Sequence, residues 1–553
     1  MDRPNPEDFL DGKVTSNGRI CLPVPRADDE LTPVMLLLDE HLSTNEAAPP
    51  MRTMLGWPVQ VQLSEPSGMH ELTAGGANDE EPNNSRLPPP KTYMLTRHCP
   101  TSMAMLIEKY VRFFKEIKGG DDDKIEVTKR LPSPFVVSYL AFTKSTLPRV
   151  SALMTMPLVL GNGEFLATNG LDRKRKIFFC IEPEIVELLP DGSIPKGAVE
   201  ESIRFLTDEW LVDVKTDYAG KCVLIALALT VLERELLGER PAFLVTAGKR
   251  GGGKTTAITM ISLALTGKRA AATAWSPNEE ERRKAIFAAL LQGCLFIVWD
   301  NIKRGTAISC PTIEKVLTSA ELQDRVLGES REERASCATV MIFTGNNVTA
   351  KGDMASRCLI SRLNVDRPDP ENREFKHPDP FTWTLDHRGE IIEALYTLLL
   401  GNPRLKQKAK ERAPAKTRFK QWWQLVGSAI EHAADLAGQP VDFGQMFLAV
   451  EADDEESASL VEVFQCLNDL AHGQEFSAAQ VSTWMAAEGN SAKTLQSFFC
   501  GRDGVPSKMT INTKLRANTE TPVWVGDETW ILRSRKDSHS KVTMFQIVTK
   551  PRQ

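Results

Sequence analysis

The chain predicts an α/β fold organised around a parallel sheet, and three observations carry that expectation. The first is an order of strand, glycine loop and helix: the β-rich apolar run Phe243–Thr246, then Gly248-Lys249-Arg250-Gly251-Gly252-Gly253-Lys254-Thr255, then helical spacing to Leu265. The second is a pair of further apolar runs, Cys294–Trp299 closing on Asp300-Asn301 and Ala338–Thr344 closing on Gly345-Asn346-Asn347, which read as strands buried on both faces. The third lies between the first two runs, where Ser276-Pro277-Asn278-Glu279 reads as a capping box with proline at the first helical position and starts a helix to about Leu291. Strand, helix, strand in that order is a βαβ unit.

Composition bounds the rest. At 553 residues the chain exceeds one ordinary core and predicts about three or four folding units. Apolar content of 42% with 25% charged residues excludes wholesale disorder. The formal net charge of -6 has no basic bias, so any nucleic-acid contact must come from local patches. The cysteines include no C-x-x-C pair and read as reduced structural thiols of a cytoplasmic protein without a zinc site. The opening MDRPNPEDFLDGK is acidic and proline-bearing, unlike a secretory signal, and the longest apolar stretch, Cys222–Leu232, is about half a bilayer span, so no membrane segment is expected.

In chain order, residues 1–95 show little periodicity and are expected to be largely irregular, with a flexible linker from Gly75 to Pro90. Residues 96–200 read as a small α+β module: helical spacing from Ser102 to Ile117, a solvated turn at Asp121–Asp123, a hairpin of Ala152–Leu160 with Phe165–Ala167 around Gly161-Asn162-Gly163, and a strand at Ile177–Ile181. Residues 201–402 hold the glycine loop and its sheet, entered through helices near Glu200–Trp210 and Ala219–Leu237. Residues 403–470 read as a helical basic region in which Arg404, Lys406, Lys408, Lys410, Arg412, Lys416, Arg418 and Lys420 face a single acid, Glu411, while Trp422 and Trp423 are expected in a core. Residues 471–553 predict a winged helix: Ser477 caps a helix to about Ala487, Asn490–Phe499 reads as a second, and strands follow at Val523–Val525, Trp530–Arg533 and Val542–Val548.

The glycine loop is a P-loop, and its chemistry needs each part. Glycines let backbone N–H groups curl round a phosphate, and the helix N-terminus adds partial positive charge. Lys254 would reach the β- and γ-phosphates and the Thr255 hydroxyl would ligate magnesium, so the run from Gly248 to Thr256 predicts ATP and Mg2+ as cofactors. Asp300, delivered to the C-terminal edge of the sheet, would hold the same magnesium through water. Asn346 is placed to orient an attacking water or touch the γ-phosphate, and Arg357 and Arg362 are candidates for a finger entering a neighbouring subunit's site.

Together, Gly248–Thr255, Asp300-Asn301, Thr344–Asn347 and Asp353–Arg362 resemble the superfamily 3 type, AAA+-related helicase module of phage, plasmid and integrated-element primase-helicases. Met156 to Asp172, Leu317 to Gly328 and Phe419 to Gly427 look similar to that group as well, so the likeness covers roughly residues 130 to 550. It implies an AAA+-like P-loop NTPase core preceded by the small α+β module and followed by the helical region and winged helix. It also implies a hexameric ring that translocates on DNA during replication of a mobile element. Under it Lys254 and Thr255 bind phosphates and magnesium, Asp300 the magnesium, Asn346 is the sensor, Arg357 the finger, and Arg362 the second choice. Two departures stand out. Asn301 occupies the position where many such ATPases carry a water-activating glutamate, and the first 100 residues are too short and irregular for a primase, so priming would need a partner.

Leu322–Leu327 and Arg331–Ala335, turning at Gly328-Glu329-Ser330, match the hairpin that such helicases point into their channel. Arg325 and Arg331, with Lys303 and Arg304, are candidate contacts to DNA phosphates. From Pro506 onward nine Lys and Arg against four Asp and Glu suit DNA too. The expectation is an ATP-dependent DNA helicase or translocase; the alternative is an AAA+ DNA-binding ATPase, an initiator, loader or defence ATPase, without unwinding.

Overall fold

The apolar run that leads into the glycine loop forms the interior of a sheet. In a computed structural model of the chain, Ala242–Ala247 is buried at every position and pairs in parallel with Val340–Asn346 on one side and Cys358–Leu363 on the other. The five-stranded order is Ala272–Ala274, Phe296–Ile302, Val340–Asn346, Ala242–Ala247, Cys358–Leu363, parallel throughout. Parallel strands need crossovers: the helix Lys254–Thr266 links Ala242–Ala247 to the edge strand Ala272–Ala274, and Glu279–Leu291 links that strand to its neighbour Phe296–Ile302. The structure describes residues 20–23, 31–43, 50–54, 56–64, 87, 90–117, 124–127, 133–190, 192–248, 251–326, 332–364, 374–407, 417–452, 455–500, 506–520, 522–525, 528–536 and 542–551.

Side chains alternate across this sheet, as the two-residue strand period requires. Phe243, Val245, Ile342 and Leu359 face one core with Ile258 and Ile261 of the Lys254–Thr266 helix, while Leu244, Met341, Phe343 and Trp299 face another with Ile286, Phe287 and Leu290. The apolar stretch Cys222–Leu232 lies within the helix Tyr218–Glu233, which is buried nearly all round, the signature of a core helix. Among the described residues no helix is long and apolar enough to cross a membrane. Trp422 and Trp423 are fully buried.

Several expectations are corrected. The Glu279–Leu291 helix is capped by Asn278, whose side chain accepts from the Glu280 N–H, so Pro277 precedes the helix and Ser276 only accepts from the Asn278 N–H at 3.2 Å. Ala152–Leu160 is not one strand: Ala152–Met154 pairs in parallel with Ile177–Phe179, whereas Leu158–Val159 forms the hairpin with Phe165–Leu166, because Pro157 interrupts the run. Helical spacing from Ser102 to Ile117 becomes a helix over Pro100–Tyr110, capped by Cys99, and then a strand over Val111–Ile117, whose Val111 and Phe113 are buried. The sheet also gains Ala272–Ala274 and Cys358–Leu363, two strands the sequence reading lacked.

Residues 20–97 are more regular than expected. They contribute the helix Leu31–Ser43, the strand Ile20–Pro23 beside Val111–Ile117, and most of a four-stranded sheet ordered Thr92–Arg97, Pro58–Ser64, Met51–Thr53, Arg149–Val150. Except for Met51–Thr53 with Pro58–Ser64, their pairing partners lie far away in sequence, which leaves little local periodicity to read. The boundaries expected after 95, 200 and 470 fall inside Thr92–Arg97, Lys196–Arg204 and Glu455–Ala471. The linker residues 75–86 and the Asp121–Asp123 turn lie outside the described residues.

At the C-terminal end Ser477 caps Ala478–Met485 through a reciprocal capping box with Gln480, and Asn490–Phe499 follows. A further helix, Lys508–Ala517, comes before an antiparallel sheet ordered Phe476–Ser477, Thr543–Pro551, Glu528–Lys536, Pro522–Val525.

Candidate nucleotide-binding site

Sheet order brings sequence-distant residues together. In the register, Ala247 pairs with Asn346, and Ala274 with Asp300, so the ends of four strands deliver the glycine loop, Asp300, Asn346 and Arg362 to one edge. That edge is the C-terminal one, where open α/β sheets bind ligands.

Gly251 and Gly253 hold φ of 73° and 85°, left-handed values that side chains adopt rarely, and a Cβ at Gly253 would meet no atom within 4 Å. The glycine therefore serves backbone conformation, not packing. Gly253 caps the Lys254–Thr266 helix without any side-chain acceptor, leaving the first helical N–H groups for another acceptor. Gly248 is exposed, Gly252 buried and Thr256 half-buried; Lys249 and Arg250 lie outside the described residues.

Five polar side chains meet behind the loop in two hydrogen-bonded groups. Lys254 Nζ donates to Asn346 Oδ1 at 2.7 Å. Burial holds the Lys254 ammonium below the usual lysine range, partly countered by the Asp300 charge. Thr255 Oγ1 donates to Asp300 Oδ1 at 3.3 Å, and Thr344 Oγ1 donates to the same oxygen. Asn301 follows on a bulge: the register with Val340–Asn346 shifts between Trp299 and Ile302, Asn301 takes φ of 54°, and its N–H donates to Thr344 Oγ1 at 3.2 Å. Its side chain is exposed, and an amide has no basic atom to take a proton from water.

Gly345 is required by close approach. A Cβ there would lie 2.4 Å from Val348 Cγ2 and 2.8 Å from the Ile302 carbonyl oxygen. Asn347, at φ of 50°, donates its N–H to the Ala247 carbonyl at 3.0 Å and so ties the third predicted strand end to the start of the glycine loop.

The two arginines separate. Arg357 pairs with Asp353 at 2.5 Å and donates to the Glu314 carbonyl at 3.0 Å, with its side chain 12% exposed; Arg418 also reaches Asp353, at 3.5 Å. Burial, then the Asp353 charge, raises the Glu314 carboxyl in this cluster. Arg362 is exposed on the edge strand, level with Thr246. Lys303 and Arg304 are exposed in the turn after Asp300, and Arg325 is exposed at the end of a hairpin formed by Glu321–Arg325 and Glu332–Ser336; Arg331 lies outside the described residues. In the basic stretch, Arg404 stacks over the Trp423 ring at 4.3 Å and Arg418 is engaged by Asp353, while residues 408–416 lie outside the described residues. A polar cavity of about 600 Å³ beside Arg404, lined by Glu431, His432 and Asp435, shares no residue with the glycine-loop site.

Thr344, which the sequence names only as the start of a motif, is the edge residue whose contact with Asp300 sequence reasoning did not assign. A hydroxyl near the end of an otherwise apolar strand was its signal, and Thr246 repeats it on the neighbouring strand, donating to the Gly345 carbonyl at 3.2 Å.

No family model and no curated protein matches the chain. Among solved structures, an active helicase described as SCCmec type IV Cch is 10% identical with a TM-score of 0.31, over 75% of this chain and 80% of that one. The apo A form of the NrS-1 C-terminal region is 11% identical with a TM-score of 0.37, over 93% and 100%. A JCV helicase is 11% identical with a TM-score of 0.21, over 47% and 73%. Scores this low assign neither fold nor function.

Proposed function

We propose that this chain is an ATP-dependent DNA helicase or translocase for replication of a mobile genetic element, working as a ring oligomer, with a hexamer as the expected ring. The observation that carries the reading is the meeting of Lys254, Thr255, Asp300 and Asn346 beside a left-handed glycine turn at the C-terminal sheet edge.

The residues fit ATP and magnesium. Helix N–H groups without a side-chain cap, and a lysine that donates to a neutral amide, suit phosphate; the Thr255 hydroxyl and Asp300 carboxylate are hard oxygen donors suited to Mg2+. Magnesium bound there would neutralise phosphate charge. Lys254 would exchange the Asn346 amide for phosphate oxygens, freeing Asn346 to orient water. Arg357 is the finger and Arg362 the second choice; Arg357 would have to leave Asp353 to enter a neighbouring site, and Arg362 is exposed on the edge strand. Lys303, Arg304, Arg325 and Arg331 would meet DNA phosphates, and the C-terminal region, read as a winged helix, would add a second contact. A separate primase or another replication protein would be its partner.

A second reading, an AAA+ DNA-binding ATPase without unwinding, draws support from the exposed Asn301, which offers no base. ATPase and fork-unwinding assays, with native mass measured with and without ATP, decide between them. Turnover lost in Lys254→Ala with strand displacement by wild type supports the helicase; DNA-stimulated turnover without displacement supports the second reading. Unchanged turnover in Lys254→Ala rejects both.

A further inference from the structure

We infer that Thr344 is a positioning residue that sets the orientation of Asp300 toward the cation, an inference that rests on the nucleotide-binding reading above. The polarity of its hydrogen bonds is fixed by chemistry. The Asn301 N–H only donates, so it must take a lone pair of Thr344 Oγ1, and the Asp300 carboxylate only accepts, so it must receive the Thr344 proton. One hydroxyl therefore clamps two consecutive residues of a bulge.

The clamp has an orienting consequence. Asp300 Oδ1 is occupied twice, by Thr344 and by Thr255, and among the described residues Oδ2 has no hydrogen-bond donor. The carboxylate is thereby held with one oxygen engaged and the other available to a hydrated cation. Because Thr255 spends its proton on Asp300, its lone pairs point away from that carboxylate, as a metal-ligating hydroxyl requires. Thr344 itself is 1% exposed, so it does not reach solvent or ligand; it acts through Asp300 and through the left-handed turn at Asn301. Partners of this outer kind typically change metal affinity by about 10- to 100-fold when removed.

The test compares wild type, Thr344→Val, Thr344→Ser and Lys254→Ala as full-length chains. Valine keeps the shape and removes the hydroxyl; serine keeps the hydroxyl. Binding of a fluorescent N-methylanthraniloyl ATP is measured in EDTA and across a magnesium titration. Thr344→Val is expected to raise the half-saturating magnesium concentration about tenfold or more, with binding in EDTA within about twofold of wild type, and Thr344→Ser to stay near wild type in both. An unchanged magnesium midpoint in Thr344→Val, or an equal loss of binding in EDTA, overturns the inference. Failure of the underlying reading looks different: wild type then binds no nucleotide, or Lys254→Ala binds as well as wild type, and both proposals fall. Melting curves accompany each variant, and Thr344→Ala, judged by the same outcomes, replaces a valine variant that is unfolded at the assay temperature.

Discussion

In the five-stranded sheet, polar side chains gather near the C-terminal strand ends, while the strand interiors are apolar on both faces. In the N-terminal region the polar groups sit inside the fold. Arg52, wholly buried, donates to the carbonyls of Gly56 at 2.6 Å, Leu140 at 3.0 Å and Tyr139 at 2.7 Å, while the Tyr139 hydroxyl and the Thr146 N–H both donate to the buried Asp39 carboxylate. Burial pushes the Tyr139 hydroxyl well above the usual tyrosine range, as does the Asp39 charge. The difference separates two kinds of buried polarity: at the sheet edge it leaves hydrogen-bonding capacity open toward a ligand, and in the N-terminal region it closes on the protein and specifies packing.

Substitutions can break that distinction. Lys254→Ala is expected to reduce ATP turnover about a thousandfold, equivalent to about 4 kcal/mol of transition-state stabilisation, with an unchanged melting temperature; a fall in both would show that the lysine is structural. Arg52→Ala should do the reverse, destabilising the N-terminal region by about 3 kcal/mol through three carbonyls left without their donor, with little effect on turnover. Denaturant unfolding followed alongside ATPase activity reads both outcomes.

Glu233 sharpens the contrast, since it is buried within the central module yet closes on the protein: both its oxygens accept the Val159 N–H, at 3.0 and 3.2 Å. Burial raises its pKa from the ordinary 4.5 to about 8, against the pull of that N–H and of Arg234. The folded state thus holds the proton more tightly than the unfolded one. Its stabilising share is full below pH 4.5 and is lost as pH rises to about 8, by at most about 1.4 kcal/mol per pH unit. Melting temperatures of Glu233→Gln should lack that part of the slope. The smallest effect concerns the corrected cap: Asn278→Ala should cost about 1 kcal/mol and Ser276→Ala less, by thermal unfolding.

The same contrast explains what could be read from sequence. Strands such as Ala242–Ala247 and Val340–Asn346 carry continuous apolar runs because helices cover both faces, so their existence, order and terminal residues were legible. Cys358–Leu363 was not, since Ser361 and Arg362 break the run, and Ala272–Ala274 is only three residues long. Met51–Thr53 is only three residues long and is flanked by Pro58–Ser64 and the distant Arg149–Val150, while Ile20–Pro23 pairs with the distant Val111–Ile117; tertiary pairing contributes to both elements. At the candidate site, residue types and spacing singled out Lys254, Thr255, Asp300 and Asn346, which the fold brings together, but not the inward turn of Arg357, which depends on Asp353 and on the Glu314 carbonyl.

Asn346 has a wiring consequence. Its side-chain oxygen holds the Lys254 ammonium, and its main-chain oxygen accepts the Gly305 N–H at 3.3 Å, in the same turn as the exposed Lys303 and Arg304. One residue is thus the whole length of the path between the glycine-loop lysine and a cationic surface turn.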